Sequence, residues 1–241
     1  VFNTPRVFIG MLEGSERRTP EIVTHNLSRA VKYAEDYGAM KLEKFSTLSG
    51  IALVSGARDI QTKEMLKTKA THMLIIDNDM AVIKPDAIKI LIDRQKDIIC
   101  GMYTSRMLPL RLVCRLDASV QNDDSAEYDL IKHGAPFKVE TAGFGFILIR
   151  RKVFEAVYEY CAKYEPSSIP FQPFVYKGTY NGEDGSFCLR AKKCGYDTFV
   201  DPSVLLGHMG SYPFTIIDWL DYYEQKQGIK KVQRFETKGE V

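Results

Sequence analysis

The chain has 241 residues, 45% hydrophobic and 27% charged, enough apolar material for one ordinary α/β core. A net charge of +2 is too small to argue for nucleic acid or a membrane surface, and no apolar run approaches the length of a transmembrane segment. The five cysteines lack CxxC spacing and mostly sit in apolar stretches, as Cys100 and Cys114 do; with nothing resembling a signal peptide, they predict reduced thiols in a soluble, cytoplasmic protein.

Arg6 to Leu12 is a β-rich run that predicts the first strand. Thr19 as N-cap and Pro20 at the first helical position then open a helix, with Ile22, Leu27, Ala30, Val31 and Ala34 on one face and an end near Gly38. The apolar Ile51–Val54 predicts a second short buried strand, leading through Ser55–Asp59 into an amphipathic helix from Ile60 to Lys69. Met73 to Ile76 is a third strand. A helix opened by Pro85-Asp86 follows, and Asp97 to Tyr103 is a fourth strand. This β-α-β-α-β-α-β order predicts an α/β fold, a mainly parallel sheet with helices on both faces in three layers.

The middle breaks the pattern. Leu110–Leu116 and Tyr128–Ile131 read as two β segments around a polar loop, Asp117 to Glu127, forming a small antiparallel ribbon. Gly145 to Ile149 is another buried strand and Val153 to Tyr164 a helix. Glu165 to Tyr180 reads as a long loop beside a cleft. A helix runs from Gly182 to Cys194 with Gly195 as its cap, and Thr198–Val200 is a last strand. The amphipathic segment Phe214–Gln227, with Trp219, predicts a packed C-terminal helix. Beyond it Lys230, Lys231, Arg234 and Lys238 read as a solvated basic tail.

Three places carry chemistry. Asp77-Asn78-Asp79 follows a buried strand, at the edge where open α/β sheets bind ligands. Hard oxygens there suit Mg²⁺ or Mn²⁺ bridging a diphosphate, and an Asp-rich turn capping the next helix is the plainer alternative. Glu183 and Asp184 lie at a helix N-terminus, where the helix dipole is expected to lower their pKa and blunt them as bases. His208, between Gly207 and Met209-Gly210, offers a neutral imidazole as third ligand to a metal already held by carboxylates.

Taken in order, these pieces resemble the A-type glycosyltransferase fold, in particular the small bacterial and phage enzymes of the family 2 type. The resemblance rests on Ser55–Arg58, Thr71–Met80, Gly143–Arg151, Gly182–Cys188, Val200–Pro202 and Gly207–Gly210, and spans the chain from Arg6 to Gly210. It implies a Rossmann-like nucleotide-diphospho-sugar transferase domain over residues 1–213, with residues 214–241 as a helix and tail packed on it. It further implies a Mn²⁺- or Mg²⁺-dependent enzyme that moves a sugar from a nucleotide-sugar donor, a UDP-sugar, to a hydroxyl of a glycan or other acceptor.

The resemblance also assigns roles. Asp79 would bind the metal, Asp77 the ribose or the metal through water, and His208 would complete the shell, with Asn78 between the two acids. Met11, Leu12 and Glu13 would lie by the base, and Arg58 by the nucleotide or its phosphates. Gly143 and Gly145 would let backbone approach the donor sugar and acceptor. Asp184 would serve as general base of an inverting reaction, with Glu183 in reserve. Relatives often carry Asn where Asp59 stands, a departure expected to alter the nucleotide or metal contact. Tyr103 and Arg106 could touch donor or acceptor, or merely form the wall.

Other readings fit less well. A haloacid-dehalogenase-type phosphatase needs Thr or Val where Ala81 stands, and a nucleotidyltransferase or Rossmann dehydrogenase needs a Gly-rich turn that Gly10–Ser15 does not supply. A non-catalytic nucleotide-sugar-binding module would keep Asp79 and His208 but have no use for Asp184; a retaining transferase would share the Asp-x-Asp and the His.

Overall fold

The computed structural model describes residues 3–13, 19–107, 109–116, 124–166, 168–210 and 212–228. The elements, in order, are β1 (Arg6–Glu13), α1 (Glu21–Asp36), β2 (Lys41–Ser49), α2 (Val54–Leu66), β3 (His72–Asp77), β4 (Met80–Val82), α3 (Ala87–Asp93) and β5 (Ile98–Gly101). They continue as β6 (Cys114–Arg115), α4 (Asp124–His133), β7 (Phe137–Val139), β8 (Thr141–Ala142), β9 (Phe146–Arg150) and α5 (Arg151–Tyr164). The last are β10 (Phe174–Tyr176), β11 (Thr179–Asn181), α6 (Glu183–Lys193), β12 (Thr198–Asp201), β13 (Leu206–Met209), β14 (Pro213–Phe214) and α7 (Ile216–Lys226).

The core is a seven-stranded sheet in the order β2-β1-β3-β9-β5-β12-β7. β1 pairs in parallel with both β2 and β3, and β5 with β12. β9 runs antiparallel to β3 on one side and β5 on the other, and β7 closes the far edge antiparallel to β12. The sheet is therefore mixed but mainly parallel, as the element order predicts. Its central strands are apolar on both faces: Leu74, Ile75, Ile76, Ile147 and Ile149 are sealed from solvent, which is what helices on both faces require.

Each helix buries a stripe. In α1, Val23, Leu27, Ala30 and Ala34 recur at helical spacing and all are buried. On α5, Val153, Phe154, Val157 and Cys161 do the same. The Arg151 guanidinium donates to the Leu66 and Thr68 carbonyls at the end of α2, tying α5 to it. α7 begins with a capping box in which Thr215 and Asp218 exchange side-chain and backbone bonds, a device worth about 1 kcal/mol, and it buries Trp219 and Tyr223.

Several sequence expectations are corrected. Ile51–Val54 is not a strand: Ile51, Leu53 and Val54 are exposed, and helix α2 already begins at Val54 and stops at Leu66. The second strand is Lys41–Ser49, a sheet edge whose mostly exposed side chains give it no apolar signature. Thr19 is not the N-cap of α1; Pro20 takes that position and the Thr19 hydroxyl donates to the Glu13 carboxylate. Tyr128–Ile131 is helical, part of α4, where Tyr128 stacks on Tyr223 of α7. Only Cys114–Arg115 and an isolated bridge at Leu112 make β contacts in the 110–116 segment. The span from Glu165 to Tyr180 holds most of a hairpin, β10–β11, turning through Lys177 and Gly178 at positive φ. The basic tail and residues 117–123 of the polar loop lie outside the described residues.

All five cysteines are free, with Cys100, Cys161 and Cys188 buried. Among the described residues no helix is long and apolar enough to cross a membrane.

Candidate active site

β3 delivers Asp77 to the carboxyl edge of the sheet, where it is in register with Leu12 at the end of β1. The trio Met11, Leu12 and Glu13 therefore flanks the first acid. Within it Met11 is core, its carbonyl accepting from the buried Gln61 amide at 2.9 Å, while Leu12 and Glu13 are half-buried at the rim.

Arg58 reaches this edge from α2. Its side chain is 1% exposed, and Nη2 donates to Asp77 Oδ1 at 2.6 Å. The other two guanidinium nitrogens, Nε and Nη1, are buried with no hydrogen-bond partner. A buried donor without an acceptor costs about 1–3 kcal/mol, so this arginine is incompletely satisfied in the ligand-free chain. The neighbouring Asp59 accepts from the Tyr158 hydroxyl at 2.6 Å and pairs with Lys63 at 2.8 Å, so it pins α2 to α5.

Past Asp77 the chain turns through the half-buried Asn78 to Asp79, and β4 then pairs with β13, setting His208 opposite Met80. The Met209 amide donates to the Asp79 carbonyl at 2.8 Å. His208 Nδ1 lies 2.8 Å from the Thr104 carbonyl, an acceptor only, so Nδ1 donates to it, and Nε2 lies 3.7 Å from Asp79 Oδ2. Arg106 also pairs with that Asp79 oxygen. Burial works to raise the Asp79 pKa, but His208 and Arg106 outweigh it and hold the carboxyl below its ordinary value.

The fit to a divalent cation is thus partial. Asp79 and His208 bring a carboxylate oxygen and an imidazole nitrogen within 3.7 Å of each other, donor types such a cation accepts, but the same Asp79 oxygen is paired with Arg106. Asp77, expected in the same shell, is instead held by Arg58. Among the described residues no three His, Cys, Asp or Glu side chains are grouped to hold a metal.

One short loop joins this edge to the other acid. The Gly145 carbonyl accepts from the Asp77 amide at 3.0 Å, and the Phe144 amide donates to Asp184 Oδ2 at 2.9 Å. Glycine is needed at 143 and 145, because a Cβ at either position would collide with the buried Tyr103, whose hydroxyl accepts from the Gly145 amide at 3.0 Å. Tyr103 is accordingly a wall residue, set edge-on to His208 at 5.5 Å.

Asp184 stands in the first turn of α6 beside a cavity of about 350 Å³ that Thr141, Gly143, Tyr180, Asn181 and Glu183 also line. Its Oδ1 is buried without a partner. Here the dipole argument fails. Desolvation pushes the carboxyl up to about 7; the Arg58 charge pulls it down, and Glu183 and Asp77 push it up again. A carboxylate titrating near neutrality is matched to proton abstraction rather than blunted for it.

No family model matches the chain, and no curated protein does. Among solved structures, A197 from STIV is similar over 85% of this chain and 86% of its own, with 16% identity and a TM-score of 0.52. GalNAc-T7, solved with UDP, GalNAc and Mn²⁺, is similar over 92% of this chain at 14% identity and a TM-score of 0.44; the match takes in 48% of that protein, so the chain spans about half its length. HddC from Yersinia pseudotuberculosis covers 61% of this chain and 78% of its own, at 12% identity and a TM-score of 0.35. At such identities the likeness to A197 is one of fold.

The structure thus brings Leu12, Glu13, Arg58, Asp77, Asp79, Gly143, Gly145, Glu183, Asp184 and His208 to one edge. Two features of that edge carry little sequence signal. Gln61, fully buried beneath it with Oε1 unpartnered, sits mid-helix in an unremarkable stretch. Arg106 stands out in sequence only by following a strand.

Proposed function

We propose that this chain is a glycosyltransferase that uses a nucleotide-sugar donor, a UDP-sugar, and a divalent cation, and that it inverts configuration with Asp184 as general base. The observation that carries this reading is the Asp184 carboxyl: titrating near 7, one oxygen fixed by the Phe144 amide and the other unpartnered, beside a cavity large enough for a sugar ring. A non-catalytic binding module has no need of such a group.

In this reading Leu12 and Glu13 border the base, and the charge of Arg58, buried beneath the edge with two unpartnered nitrogens, offsets the negative charge of the donor. Asp79 and His208 Nε2 would hold Mn²⁺ or Mg²⁺, which neutralises charge on the departing diphosphate. Asp77 contacts the ribose or supports the metal through water. The acceptor hydroxyl enters the cavity and gives its proton to the Asp184 carboxylate as its oxygen bonds to the anomeric carbon and the bond from that carbon to the diphosphate breaks, while the Phe144 amide keeps Oδ2 in place. Glu183, half-buried on the same cavity wall, orients the acceptor.

The test is Asp184→Asn, which preserves shape and removes the base. Donor affinity, measured by calorimetry with Mn²⁺, should be unchanged, while transfer to a glycan acceptor falls about 10²- to 10⁴-fold. Transfer at the parent rate would overturn the assignment.

A further inference from the structure

A second cavity, of about 290 Å³, lies between α7 and the segment Pro109–Arg111. Three aromatic residues of α7 line it: Trp219, Tyr222 and Tyr223. Trp219 and Tyr223 are stacked on each other at 5.6 Å, Tyr223 on Tyr128 at 4.8 Å, and both are packed into the body as a fixed floor, while Tyr222 stands at the mouth, 41% exposed. The remaining polar lining is cationic. Arg111 and Lys226 contribute to the wall, no acid does, and Arg111 has no acidic partner among the described residues. The buried Glu224 of α7 is taken up on the inner side, by the Tyr128 hydroxyl at 2.6 Å and by Lys132.

The exposed Tyr222 ring, backed by the fixed Trp219–Tyr223 floor, offers flat apolar contact to the C–H face of a pyranose, and a guanidinium at the rim matches a carboxylate or phosphate in paired-bond geometry. The volume accommodates about one sugar ring with its substituents. We propose that this cavity is a saccharide subsite whose occupant is a sugar ring bearing a negative charge, a uronate or a sugar phosphate, gripped by Arg111 and seated against Tyr222 of α7.

Its position connects it to the donor edge. Ser105 and Arg111 exchange two hydrogen bonds, Ser105 amide to Arg111 carbonyl at 2.8 Å and Arg111 amide to Ser105 Oγ at 3.0 Å, and Thr104 bridges Leu112. These close a tight loop that sends Arg106 to Asp79 from one limb and Arg111 to the cavity from the other. Taking the occupant as a remote unit of the acceptor chain rests on the transferase reading; binding in the cavity does not.

The test is calorimetry on the intact protein without donor or metal, so that failure here and failure of the transferase assignment are separable. The probes are a glucuronate-containing tetrasaccharide, glucose 6-phosphate, cellotetraose and a thymidine oligonucleotide. One of the two anionic sugars should bind, which identifies the charged group, and cellotetraose should bind at least tenfold more weakly. Arg111→Ala should weaken the anionic probe about tenfold, Arg111→Lys less, and Tyr222→Ala about fivefold, at unchanged melting temperature. Equal binding of cellotetraose, preference for the oligonucleotide, no saccharide binding, or an anionic probe indifferent to both alanine variants would each overturn the proposal.

Discussion

Two arginines, Arg58 and Arg190, are each 1% exposed, and they are buried for opposite ends. Arg190, in α6, is fully served. It pairs with Glu165 through Nε and Nη2 at 2.8 and 2.7 Å, donates from Nη1 to the Pro170 and Gln172 carbonyls, and lies 4.7 Å from the centre of the Phe174 ring. It fastens the long 165–174 segment to the helix. Arg58 makes one bond, to Asp77, and leaves two nitrogens without acceptors. A charge buried and completely paired is architecture; one buried and half-paired holds capacity for a ligand.

The contrast can be broken experimentally. Arg58→Met should reduce transfer, or donor binding in its absence, by about a hundredfold or more, because a guanidinium aimed at charge is lost. The same variant should shift the acid limb of the rate profile to higher pH, since Arg58 is the group that pulls the Asp184 carboxyl down. Parental kinetics would place Arg58 with Arg190. Arg190→Met should act the other way. Removing the partner of Glu165 should cost about 3 kcal/mol in urea unfolding and leave the rate per folded molecule unaltered. A stability effect no larger than that of a surface substitution would remove the distinction.

The smaller effect concerns pH. The Asp184 carboxyl titrates near 7 in the folded chain against an ordinary 3.8. Between those values the folded chain keeps a proton that the unfolded chain has lost. Stability therefore falls as pH rises from about 4 to 7 and levels off above. Asp184→Asn should flatten this dependence in urea melts and be the more stable protein at pH 8. A flat parental profile would show that the carboxyl is not held protonated near neutrality.

Legibility in the sequence followed burial. β3 was plain because it is apolar on both faces and ends abruptly in acids. β2 gives no such signal because an edge strand with exposed Lys41, Leu42 and Lys44 and a 40%-exposed Phe45 carries no inward pattern, while the exposed apolar Ile51–Val54 imitates one. Nothing in Phe146–Arg150 announces that it runs against its neighbours, since direction is a property of pairing. The acids and His208 were readable as a set through their order. Their partners were less so: that Arg58 would face Asp77, that Arg106 would cover Asp79, and that Asp184 would lose enough solvent to overcome its helix dipole all depend on contacts distant in the chain.

The reversed strand β9 has a consequence for how the chain tolerates change. Because it runs against β3 and β5, its amino end meets their carboxyl ends, and the three residues before it span from Asp77 to Asp184. The strand is laced on both sides, so a length change within 143–150 has no free edge to slide along. Inserting or deleting one residue there would turn every β9 side chain to the opposite face and detach both acids from their backbone partners in the same step. Surface loops elsewhere can lengthen by degrees; this one behaves as a gauge block, and variants in it should be either intact or lost.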